Sequence, residues 1–278
     1  MAGAGAGLGR GNGLELDASS TLLAIEACVV CYVHTLRESP LKKWGVLLAC
    51  AFVAGQAGAA AVAPAYDTFG NLAGATFGGS GIPTDPTAIS TGGGITLGLT
   101  AHQRFANPPL TNDGLGTFTA QAGANDGTPG NPGTAATWNF AYYVDIGTDS
   151  FATTPLQFTL RYDLDPGVGT DESALGSLNL GAIAAFAGAT NLFQDSQNAT
   201  FGFLCTPIPG FITPPASCIP GFDPNVAGEY SFVLTASRSG VEVARSAILV
   251  NVAAVPEPGT LALLGIAMLG AAVTRRRV

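Results

Sequence analysis

Thr137-Trp138-Asn139-Phe140-Ala141-Tyr142-Tyr143-Val144-Asp145-Ile146 is the stretch whose reading decides the fold. Trp138, Phe140, Tyr142, Val144 and Ile146 recur at every second position, with Thr137, Asn139 and Asp145 between them. A strand turns successive side chains to opposite faces, so this period of two describes a strand with one buried face. Leu156, Phe158, Leu160, Tyr162 and Leu164 alternate in the same way with Gln157, Thr159, Arg161 and Asp163. Residues 95–99, 116–121 and 178–180 are shorter candidates. Residues 229–236 and 241–252, separated by Ser237-Arg238-Ser239-Gly240, predict a β-hairpin that closes the domain. Asn112-Asp113-Gly114 and Asn125-Asp126-Gly127 supply turns, because Asn and Gly tolerate positive φ. The best helical candidate, 182–193, is short. Together these patterns predict an all-β fold, an antiparallel β-sandwich of jelly-roll or immunoglobulin-like type over residues 64–254. A partly open barrel and a β-solenoid are the alternatives, and no fixed repeat supports the solenoid.

Composition agrees with a turn-rich exported domain. The 278 residues include 38 Gly and 18 Pro, and only 11% are charged, against about 25% in an ordinary soluble domain. Hydrophobic residues at 47% can build a core. Collagen is excluded, because no glycine period of three runs through the chain. A net charge of −8 argues against nucleic-acid binding, which needs clustered Lys and Arg.

The two ends read as addresses. Lys42 and Lys43 precede an apolar run over 44–54, followed by small residues up to Ala59-Ala60-Ala61-Val62-Ala63. This is the order of a secretory signal peptide over 41–63, with its cut between Ala59 and Val62. Met1 is the only methionine before Met268. Residues 1–40 are therefore expected to be an over-extended N-terminus, disordered or helical, with translation starting near Val33 or Leu41. On that reading Cys28 and Cys31, a C-x-x-C without a second pair, are not in the mature protein. Leu47-Leu48-Ala49-Cys50 loosely resembles a lipoprotein box, and the simpler reading places Cys50 inside the apolar run of the signal.

At the other end stand Pro256-Glu257-Pro258, the apolar stretch 261–273, and Arg275, Arg276 and Arg277. The arginines hold the far end on the cytoplasmic side, so 260–274 is expected to act as a transmembrane stop-transfer helix. This three-part arrangement resembles the PEP-CTERM sorting signal, also known as the ice-binding protein C-terminal domain. The resemblance implies a Gram-negative bacterium that makes exopolysaccharide. It also implies recognition by an exosortase, a membrane cysteine transpeptidase that cuts near the tripeptide. The ice-binding label belongs to the tail and says nothing of the body. Within the body, residues 75–83, 95–105, 112–118 and 138–147 resemble segments of a set of uncharacterised PEP-CTERM proteins.

Between Pro64 and Ala254 the basic residues are Arg104, Arg161, Arg238 and Arg245 against 14 acids, a net of −10 with no lysine. Such a surface disfavours electrostatic adhesion to anionic polymers. Cys205 and Cys218 are the only cysteines of this body. The oxidising destination of an exported chain predicts a disulfide between them, clamping a loop that carries Pro207, Pro209, Pro214 and Pro215.

Chemistry-bearing residues are sparse. His102 is the only histidine of the body, and no G-x-S-x-G accompanies it. Zinc finds no ligand spacing. Asp163, Asp165, Asp171 and Glu172 surround the Gly-rich turn Pro166-Gly167-Val168-Gly169. Ca²⁺ takes six to eight oxygens, so this loop is a candidate calcium site against the reading of a solvated turn. A glycosidase pair drawn from the same acids requires carboxyls about 5–10 Å apart across a cleft.

The expected function is a non-enzymatic, exported protein. It is handed from the general secretory machinery to the inner membrane, sorted by an exosortase, and delivered to the envelope or exopolysaccharide matrix in a structural or adhesive role. A carbohydrate- or ice-binding module and a matrix polysaccharide hydrolase are the alternatives.

Overall fold

The computed structural model describes residues 60–78, 81–104, 110–125 and 133–255. The expected C-terminal helix, the N-terminal extension and most of the signal segment lie outside them. Among the described residues no helix is long and apolar enough to cross a membrane.

The described chain runs β1 (Thr68–Gly70), β2 (Thr87–Gly92), β3 (Ile95–Gln103), β4 (Thr111–Asn112), β5 (Thr117–Gln121), β6 (Trp138–Asp145), β7 (Leu156–Tyr162), β8 (Gly176–Asn179), α1 (Leu180–Phe186), β9 (Leu192–Gln197), β10 (Ile212–Thr213), β11 (Gly228–Arg238) and β12 (Val241–Ala253). These strands form two sheets, ordered β1-β2-β3-β6-β9 and β10-β8-β7-β11-β12-β5-β4. Pairing is antiparallel except for β12 with β5, which runs parallel. The architecture is thus mostly β, in two layers.

Period-two reading places the core. Trp138, Phe140, Tyr142, Val144 and Ile146 from one sheet, and Leu156, Phe158, Leu160, Tyr162 and Leu164 from the other, all join one buried cluster. Phe140 of β6 stacks on Phe232 of β11 with ring centroids 4.4 Å apart. Each such buried side chain contributes about 1.5–3 kcal/mol by leaving water. The layers are stitched by β2 and β12: Ser246 Oγ donates to Ala88 O at 2.8 Å, and Ser90 Oγ donates to Arg245 O.

Both outer faces are partly covered. Leu72, Ala75 and Ile82 lie on Ala141 and Tyr143 of the five-stranded sheet. This strap is latched by Gln194, whose Nε2 donates to Thr76 O at 2.9 Å while its Oε1 accepts from Thr76 N at 3.2 Å. Gly98 permits the close approach, since a Cβ there would stand 2.7 Å from Leu72 Cδ2. On the seven-stranded sheet, Val62 packs with Leu175, Val233 and Ala247.

Two expectations change. The closing hairpin forms, but its strands extend to Arg238 and Val241, leaving a two-residue turn. Ser239 (φ 51°) and Gly240 (φ 80°) both take the positive φ that matches strand twist. The helix expected over 182–193 instead divides. Asn179 caps its start by accepting from Ala182 N at 3.1 Å, the helix ends at Phe186, and Leu192–Gln197 becomes β9, paired with β6. Gly188, at φ 74°, supplies the left-handed stop.

Candidate functional site

Three places gather polar or covalent chemistry. The first is the turn after β7. Asp163 Oδ1 accepts from Asp165 N at 2.9 Å, and Asp165 Oδ1 accepts from Gly167 N at 2.8 Å. Asp171 Oδ1 accepts from Ser173 N at 2.7 Å, capping the turn Glu172–Ala174. Each carboxylate thus spends one oxygen on the main chain two residues ahead, as Asp does readily. Glu172 leaves the group: its carboxylate takes Arg161 Nε at 3.5 Å and Arg245 Nη1 at 3.3 Å. That pairing holds the Arg245 guanidinium above its ordinary pKa. Among the described residues, no three of His, Cys, Asp and Glu gather as a metal-holding group. The four acids read from sequence are therefore parted into a loop set and an arginine-bound Glu172.

Asp163 differs from the others by its depth, being only 1% exposed. Burial pushes its carboxyl up to about 6, and the nearby Asp165 charge adds to this against the pull of groups from Asp165, Thr170 and Ser231.

The second place is a chain of side-chain hydrogen bonds across β3, β6 and β9. His102 Nδ1 lies 2.8 Å from Gln103 O, and Nε2 lies 2.8 Å from Ser196 Oγ. A carbonyl can only accept, so Nδ1 carries the proton and, in the neutral ring, Nε2 accepts from the Ser196 hydroxyl. Asn139 Nδ2 donates to the same Ser196 Oγ at 2.8 Å, and Asn198 Nδ2 donates to Asn139 Oδ1 at 2.8 Å. A serine hydroxyl aimed at an imidazole nitrogen is the first half of a nucleophilic pair. Here, however, His102 is 3% exposed and packed edge-on to Phe77, and its Nδ1 donates to the Gln103 main-chain carbonyl. Sequence reasoning missed Ser196, which lies 94 residues from His102 in the chain. Only the pairing of β3 with β6 and of β6 with β9 brings the two together.

The third place is the disulfide. Cys205 and Cys218 are bonded, with Cα atoms 5.4 Å apart. Between them β10 pairs with β8 and forms the sheet edge. Tyr162 Oη donates to Leu204 O, tying the loop to the core.

Pro256, Glu257, Pro258, Arg275, Arg276 and Arg277 lie outside the described residues. What the structure fixes is their attachment, since β12 ends at Ala253 in the interior of the seven-stranded sheet. The chain is thus a two-sheet β-domain whose closing strand leads directly into its C-terminal tail. That tail, residues 254–277, matches the family model of the PEP-CTERM protein-sorting motif. The chain carries this motif, which marks an exported protein sorted by an exosortase and anchored at the membrane before processing. Comparison with curated proteins and with solved structures finds no match.

Proposed function

We propose that the β-domain is a non-enzymatic cargo delivered to the cell envelope or exopolysaccharide matrix, where it has a structural or adhesive role. The observation that carries this reading is the junction at Ala253. The sorting motif begins one residue after β12 ends, so a cut near Pro256 to Pro258 releases the sandwich with every strand intact. The acidic, lysine-free body supports the same reading, because a net of −10 keeps it soluble. Any hold on an anionic polymer would then come from hydrogen bonds and apolar contact.

Replacing Pro256, Glu257 and Pro258 together by alanine is expected to stop release. Fractionation should find the variant in the membrane and the parent protein outside the cell, at the mass of the cut form. Equal release of both would overturn the sorting half of the proposal. The non-enzymatic half is tested at Ser196, the one serine shown bonded to the imidazole. A fluorophosphonate probe is expected to leave the folded protein unlabelled, because the imidazole beside Ser196 is enclosed. A stoichiometric adduct on Ser196 would instead make the body a serine hydrolase.

A further inference from the structure

Among the described residues, three buried side-chain oxygens have no hydrogen-bond partner: Asp163 Oδ2, Asp171 Oδ2 and Ser231 Oγ. An unpaired buried polar atom costs about 1–3 kcal/mol, and more when it is charged. Two of them, on Asp163 and Ser231, are neighbours and point to something that satisfies them together.

The fold brings Asp163 and Ser231 together. Asp163 continues β7 past Tyr162, which pairs with Phe232, and Asp163 N donates to Ser231 O at 3.0 Å. Tyr162 and Phe232 both point into the core. Asp163 and Ser231, each one position along, therefore share the outer face. Both are 1% exposed. The Thr170 side chain also reaches the Asp163 carboxyl. Because Asp163 Oδ1 is turned back to Asp165 N, Oδ2 is the oxygen left without a partner.

We propose that a calcium ion binds between Asp163 Oδ2 and Ser231 Oγ, with loop carbonyls completing the shell. The ligands are all oxygens, and the loop turns through Gly169 at φ 72°, which suits a cation that accepts many oxygens in flexible geometry. This set is not the one the sequence pattern offered. Ser231, from a strand 68 positions further along the chain than Asp163, enters, while Glu172 is already claimed by arginines.

The test is thermal melting of the full chain in EDTA and in 10 mM CaCl₂, with 10 mM MgCl₂ as the control for screening of the acidic surface. For an extracellular site with Kd near 1 mM, ten-fold excess is expected to raise Tm by about 3–6 °C. Magnesium should give less than half of that, because it gives up its water reluctantly. Asp163→Asn and, separately, Ser231→Ala should abolish most of the calcium-specific shift. Asn keeps an acceptor for Asp165 N, so the turn survives in the first variant. Ser231→Ala reads the site without touching any charge. No calcium shift, an equal shift with magnesium, or a shift retained in both variants would overturn the site and leave the two oxygens to buried water. None of these outcomes bears on exosortase sorting, which rests on the tail.

Discussion

Phe232→Ala is expected to lower unfolding stability by about 3–5 kcal/mol. Phe232 is fully buried at the middle of β11 and is held from the opposite layer by Phe140, stacked at 4.4 Å, and by Trp138, edge-on at 6.2 Å. Removing the ring takes away its transfer energy and leaves a cavity between two sheets whose backbones are pinned by their own ladders, so little collapse can follow. Urea denaturation should show a lower midpoint at an unchanged slope. A loss under about 1 kcal/mol would contradict a core closed by this inter-sheet contact.

Opening the disulfide is the second large perturbation. Cys205 and Cys218 are 13 positions apart, and closing a loop of that size removes about 3 kcal/mol of denatured-state freedom in the chain-entropy account. The enclosed segment also supplies β10 and the Leu204 carbonyl that accepts from Tyr162. The double variant Cys205→Ser with Cys218→Ser is therefore expected to melt about 6–12 °C lower. The mass of the parent protein should rise by two hydrogen atoms when a thiol reductant opens the bond. An unchanged mass, or an unchanged Tm in the double variant, would contradict this role.

What was legible in sequence was what repeats or runs linearly. The apolar sets of 138–146 and 156–164 show their faces because a half-buried strand must alternate, and both sets reach the core. The tail is a linear signal and matches as one. β9 was hidden because Leu192-Phe193-Gln194-Asp195-Ser196-Gln197 lies at a sheet edge. It is half-buried along most of its length, with no clean alternation to read. The contacts of His102 and Asp163 were hidden for a different reason. Ser196 and Ser231 are ordinary serines in sequence, and only strand register gives them partners. The four acids of the turn advertised a common purpose, but Glu172 proved to be the counterion of Arg161 and Arg245. Spacing alone cannot tell a carboxylate facing inward from one facing an arginine on another strand.

The place of β12 has a mechanical meaning. While the tail is still anchored at the membrane, any pull on the body enters at Ala253, the end of a strand with neighbours on both sides. β11 grips it along eleven register pairs and β5 along five. A load along the strand axis therefore acts in shear on many hydrogen bonds at once, where the same load on an edge strand could peel them one by one. Forced unfolding is governed by the unfolding rate, so this geometry lets the anchor carry tension with the sandwich still folded.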